Sequence, residues 1–169
     1  MNLDNKTILI TGGRRVGAHL AVELAQRGAN VALSYFKSRE RIEAVAREVH
    51  EHGVGAAAFP ADLRNPDEAD SLVANTVAEF GSIDCLVNMA SEFHPRPFDE
   101  LTPADFDDAI GSTLKGPYLA AIAAARAMRK QPVEDGLQGK IVNFADWAVD
   151  RPYRNFLPYF IAKGGIVAM

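Results

Sequence analysis

Short apolar runs alternate along the whole chain with longer stretches in which apolar residues recur at helical spacing, and glycines punctuate the joins. Residues 7–11 are β-branched and apolar, residues 16–27 follow a helical period, and Gly28 stops them. Residues 30–35 form the next expected strand and 39–52 the next helix, closed by Gly53. A third strand spans 55–60, a third helix 67–80 ends at Gly81, and a fourth strand spans 83–88. A proline-marked loop over 91–102 leads to two helices, 103–110 and 114–130, and "KIVNFA" at 140–145 reads as a final buried strand. Strands buried on both faces with helices between them predict an α/β fold, a Rossmann-type doubly wound parallel sheet. The pattern has no repeat or linker, so residues 1–169 read as a single domain.

Composition narrows the partners. The net charge is −4 and the 18 basic residues are scattered, which disfavours nucleic acid. The longest apolar stretch, near residues 118–127, is interrupted by Arg126 and is too short to span a bilayer, so no membrane is expected. Cys85 is the only cysteine, and no signal-peptide pattern precedes the first strand, so a reducing cytoplasm is the expected setting. His50 and His52 flank a helix end without further ligands, and no metal site is expected.

In doubly wound sheets ligands bind beyond the carboxyl ends of the strands. The first strand ends in "TGGRRVGAHLA". Gly12 and Gly13 allow a tight turn and close backbone approach to a phosphate, and the helix starting near Arg15 and Val16 offers free N–H groups. The alternative is a strand-to-helix connection that needs glycine only for its backbone angles. An NAD-binding chain usually holds an acid at the end of the second strand. Here "ALSYFKSRE" places its first acid, Glu40, on the following helix. Ser34, Lys37 and Ser38, with Arg14 or Arg15 from the glycine turn, suit a 2′-phosphate instead, so NADPH is the expected cofactor. The competing reading is that Lys37 and Arg39 are solvated charges at a helix start.

With these residues in view, the chain resembles the short-chain dehydrogenase/reductase superfamily. TGGRRVG matches the cofactor loop, Ala61 to Leu63 the adenine pocket, "NMAS" from Asn88 the turn after strand four, and Tyr159 with Lys163 the YxxxK motif. Within the superfamily it most resembles the pteridine reductases and the related dihydromonapterin reductases. Arginine at a middle glycine, "SYFKS", and Asp146 at the usual catalytic serine carry the narrower likeness. The resemblance implies that Tyr35, Asp62, Leu63, Asn88 and Ala90 line the cofactor, and that Ser91 and Phe93 contact substrate. It also implies a homo-oligomer, dimer or tetramer, and further strands beyond Met169, so that the domain is expected to be C-terminally incomplete. The chain departs from the superfamily at Thr113, where an asparagine usually supports a water relay, at Met89, and in a glycine loop one residue short.

Tyr159 and Lys163 are four apart on one helix and share a face. An ammonium beside a phenol favours the phenolate, so a lowered tyrosine pKa is expected. The resemblance adds that the lysine holds the nicotinamide ribose and the tyrosine protonates the reduced atom. Asp146 ends the last strand, where a carboxylate can accept from, or relay a proton to, a basic ring nitrogen. Capping a turn is its plain alternative. Asp146, Tyr159 and Lys163 are therefore the expected catalytic set of an NADPH-dependent oxidoreductase. Its small-molecule substrate is expected to be a pterin or related conjugated compound. The alternatives are a carbonyl reductase, such as one acting on 3-oxoacyl thioesters, and a dinucleotide-binding protein without turnover.

Overall fold

A computed structural model describes residues 2–134 and 136–169. Five parallel strands, β1 (Thr7–Thr11), β2 (Asn30–Tyr35), β3 (Ala56–Pro60), β4 (Cys85–Asn88) and β5 (Lys140–Asn143), lie in the order β3-β2-β1-β4-β5. The chain runs outward from β1 to β3, then crosses back to place β4 on the other side of β1. The direction of winding therefore reverses between β1 and β4, and their carboxyl ends flank the crevice where such sheets take ligands. The expected Rossmann-type fold is the observed one.

Alternation along the strands explains the two layers of helices. Ile8 and Ile10 of β1 point to one face with Val31, Leu33 and Val87, and pack on α1 (Val16–Ala25) and α2 (Arg39–His50) through Ala21, Ala25, Ile42, Val45 and Val49. Leu9 points the other way with Leu86. It meets α3 (Pro66–Phe80) and α5 (Gly116–Met128) through Leu72, Val73, Ala120, Ala124 and Met128. Leu9 and Leu86 are fully buried, and truncating either to alanine should cost about 3–5 kcal/mol by transfer and cavity formation.

Helix ends fall slightly inside the expected bounds. α1 closes at Ala25 because tighter turns take over, with Arg27 N–H donating to the Leu24 carbonyl and Gly28 N–H to that of Ala25. α4 (Pro103–Ile110) does not end before α5. The two are joined by a π-helical turn, Gly111–Lys115, which adds a residue to the helical path. That turn buries Thr113 and brings Ser112 to the ligand crevice. α6 (Leu157–Ala168) carries Tyr159 and Lys163. Among the described residues no helix is long and apolar enough to cross a membrane.

The last strand departs from expectation. β5 pairs with β4 from Cys85↔Lys140 to Asn88↔Asn143, but Lys140, Ile141 and Val142 are exposed rather than buried. The reason is position. β5 is the edge of the sheet, and among the described residues no strand pairs with its outer side.

Candidate active site

The glycine turn is built on contact. Gly12 has φ +73°, and a Cβ placed there would lie 2.8 Å from the backbone N and Cα of Ala90. No larger residue fits, so the turns after β1 and β4 touch backbone to backbone. Thr11 locks the pair, its hydroxyl oxygen accepting from the backbone N–H of Met89 and of Ala90 at 3.2 Å each. Arg15 stands where a glycine would relieve strain, at φ 49°.

Beyond this turn opens a cleft of about 210 Å³. Of the expected cofactor residues, Gly12, Arg14, Ser34, Tyr35, Lys37, Asp62, Leu63 and Ala90 line it, as does Ser91, expected on the substrate side. Arg15 and Val16 lie outside its lining and are exposed at the start of α1. Asn88 is buried behind it, where its amide donates to the Pro117 carbonyl and to Asn143 Oδ1, both at 3.0 Å. It thereby ties β4 to α5 and to β5.

Sequence reasoning missed part of the wall. Phe36, half exposed, has Lys37 Nζ 5.1 Å and the Arg64 guanidinium carbon 5.2 Å from its ring centre. Arg64 in turn grips Asp62, with Nη2 donating to Oδ2 at 2.7 Å and Nε to Oδ1 at 2.9 Å. Hydrogen bonding from Arg64 holds the Asp62 carboxyl below its ordinary range, against a smaller opposing effect of burial. Phe36 looked like one residue of an apolar strand end, and Arg64 carried no motif.

At the far end of the sheet the expected catalytic residues converge. Tyr159 donates its phenolic hydrogen to Asp146 Oδ2 at 2.7 Å across thirteen residues of chain. Asp146 Oδ1 accepts from the backbone N–H of Ala148 at 2.9 Å, so the same carboxylate also caps the 3₁₀ turn Trp147–Val149. The capping contact anticipated for Asp146 is present, and the same carboxylate takes the Tyr159 hydrogen bond. Lys163 donates to the Phe144 carbonyl, and its Nζ lies 5.8 Å from the Tyr159 ring centre.

This arrangement reverses the expected shift of Tyr159. Burial first, then the hydrogen bond to Asp146, push its pKa up rather than down. Burial pushes Lys163 down, opposed by the Asp146 charge. The lysine head is engaged by a backbone carbonyl, and the nearest charge to the phenol is negative. Tyr159 is therefore a neutral phenol whose hydrogen is held by Asp146, and its raised pKa makes it a weaker acid than a free tyrosine.

Phe93 stacks on Phe156, ring centres 4.2 Å apart and 12° from parallel, and meets Tyr159 edge-on at 4.9 Å. The Arg96 N–H donates to the Asn155 carbonyl at 2.6 Å, tying the loop after β4 to the loop before α6. Phe93 thus borders Tyr159, although one of its faces is taken by Phe156. The Thr113 hydroxyl accepts from the Glu92 N–H at 3.3 Å, so it braces the same loop.

A parallel sheet with a glycine-lined cleft at its winding reversal is the arrangement in which doubly wound sheets take dinucleotides, and Asp146 and Tyr159 meet at the start of α6. The sequence matches the short chain dehydrogenase family over residues 6–169, and the chain belongs to that family. A 3-oxoacyl-(acyl-carrier-protein) reductase FabG of Staphylococcus aureus is 32% identical over 167 residues, covering 97% of this chain and 65% of the relative. The chain thus spans about two thirds of the length of that curated relative. A short chain dehydrogenase of Burkholderia cenocepacia in complex with NADP superposes with a TM-score of 0.89 at 33% identity, covering 99% of this chain and 66% of that one. An NAD⁺-bound xylitol dehydrogenase superposes at 0.89 with 28% identity, covering 99% and 63%. The narrower likeness to pteridine reductases finds no support in these relatives and rests on the glycine turn, "SYFKS" and Asp146.

Proposed function

We propose that the protein is an NADPH-dependent reductase of carbonyl compounds of the 3-oxoacyl thioester kind, working in a reducing cytoplasm. The observation that carries the reaction type is the protonated Tyr159, hydrogen-bonded to Asp146 at 2.7 Å beside the buried Lys163. Backbone that approaches closely at Gly12, and the cations Arg14 and Lys37 in the cleft, fit a phosphorylated dinucleotide. When bound, that group supplies hydride to the substrate carbon. Tyr159 would then give its proton to the oxygen that gains charge, and Lys163, held here by the Phe144 carbonyl, would have to turn towards the phenolate to offset it. The similarity to a 3-oxoacyl reductase favours a carbonyl over other acceptors.

A second reading has its own observation. Asp146 accepts a hydrogen bond from Tyr159, whereas a carbonyl oxygen calls for a second donor. A carboxylate at that place suits a basic ring nitrogen, such as a pterin presents, with Phe93 beside it to stack on the ring. NADPH consumption by the natural gene product, measured with acetoacetyl thioesters and with dihydropterins, separates the two. Faster turnover of the thioester supports the carbonyl reading, and turnover of the pterin alone replaces it. Asp146→Ser, which restores a donor, is expected to raise the thioester rate relative to the pterin rate. If neither substrate consumes NADPH although it binds, the protein is a dinucleotide-binding protein without turnover.

A further inference from the structure

The corner of the cleft where β2 and β3 end gathers charges of both signs. Arg14, Lys37 and Arg64 line the cleft together with the carboxylates Asp62 and Glu92. Lys37 and Arg64 come from different loops, yet both converge on the Phe36 ring, at 5.1 and 5.2 Å from its centre. Two cations on one half-exposed ring repel each other, and the negative face of the ring offsets only part of that. Arg64 is also not free to swing away. Asp62 holds its Nε and Nη2 edge, Asp108 lies 3.9 Å from Nη1, and its stem lies along Gly111, where a Cβ would come within 3.3 Å of Arg64 Cδ. A guanidinium anchored by its stem and one edge, 5.2 Å from the centre of an aromatic ring at a cleft wall, is preorganised for a planar or anionic group.

Resting on the NADPH reading above, we propose that Arg64 is a specificity-determining residue for the cofactor. It forms with Phe36 the wall of the adenosine pocket and shares the 2′-phosphate with Lys37. Asp62 and the Gly111 turn act through it as positioning groups. A 2′-phosphate would take Lys37 and the edge of Arg64 that Asp62 leaves open, and NADH offers these two no phosphate.

The test is equilibrium binding of NADPH, NADH, 2′,5′-ADP and 5′-AMP to the natural gene product and to two variants. Arg64→Ala is expected to weaken NADPH and 2′,5′-ADP about tenfold or more, the span of a charge-assisted contact, while NADH and 5′-AMP change about twofold at most. Arg64→Lys keeps the charge but loses the planar fork, and is expected to recover part of the discrimination. Arg64 is about half exposed, so its loss does not threaten the core. If the native protein prefers NADPH and Arg64→Ala leaves that preference intact, or weakens all four ligands equally, the inference is overturned and the NADPH reading stands. If the native protein binds NADPH and NADH alike, the NADPH reading itself fails and the inference with it.

Discussion

At the residue scale the decisive question is where the Tyr159 proton sits. Burial and Asp146 raise the phenol pKa above the ordinary value of 10.0, so the folded chain keeps the neutral form that the unfolded chain loses first. The sign follows directly. This contribution to stability is full below about pH 10 and is lost as pH rises towards the raised folded value. Asp146→Ala removes both the acceptor and the charge, so the Tyr159 midpoint should fall. Tyrosinate absorbance against pH, with Tyr159→Phe to identify the signal among four tyrosines, measures it. An unmoved midpoint refutes the pairing. In turnover, Asp146→Ala and Tyr159→Phe should each slow the reaction about 10²–10⁴-fold. The double variant should lose much less than the product of the two, because the groups act as a unit. The Asp146–Tyr159 encounter was legible in the sequence because a strand end and a helical motif fix both positions. The charge state of the tyrosine was not. Spacing of four along a helix sets which face Lys163 occupies, but its long stem decides where the ammonium goes, and it goes to the Phe144 carbonyl. Arg64 and Phe36 were equally illegible, since their contact joins two loops that no periodicity relates.

At the element scale α4 is fastened more firmly than its eight residues would suggest. Thr102 accepts from the Asp105 N–H, while Asp105 Oδ2 accepts from the Thr102 N–H at 2.9 Å, which is a reciprocal capping box. Asp105 also pairs with Arg96 of the loop beside Phe93. The Thr102 hydroxyl first, and Arg96 second, hold the Asp105 carboxyl down to about 2. A depressed carboxyl stabilises above its unfolded value of 3.8, and that support is lost as pH falls towards about 2. Amide exchange in residues 98–105 should therefore accelerate through this acid range, and Asp105→Asn should remove the dependence. Exchange that stays flat in the native protein excludes the clamp. Thr102→Ala should cost about 1 kcal/mol in thermal or denaturant unfolding. The start of this helix at Pro103 was legible because Pro acts locally, whereas α3 begins behind Asn65 at Pro66, one residue before its expected bound. The π turn before α5 was not. Its register depends on the packing of Leu114 against Gly165 of α6, where a Cβ would meet Leu114 at 2.5 Å, and no local pattern announces that fit.

At the scale of the whole molecule the sheet is covered on both faces at its centre, and among the described residues β3 and β5 form its two edges, β5 with apolar side chains exposed. Ile141, Val142 and Phe144 on and just after β5 are 37%, 44% and 38% exposed, and Trp147 beyond them is 78% exposed. An apolar strand edge with unpaired backbone groups is a template for another strand. Apolar character alone suggested a buried strand there, because composition does not reveal how many neighbours a strand has. α5, apolar over most of its length, spends most of that surface on the core. It leaves Tyr118 and Arg126 exposed. The 169-residue polypeptide by itself is therefore expected to self-associate chiefly through β5. Val142→Lys should shift light scattering at micromolar concentration towards the monomer and reduce apolar-dye fluorescence, since a charge on an edge strand opposes pairing. Tyr118→Lys should leave both signals nearly unchanged. The reverse pattern would assign the contact to α5, and a native polypeptide that is monomeric and dye-silent would remove β5 as an adhesive edge altogether.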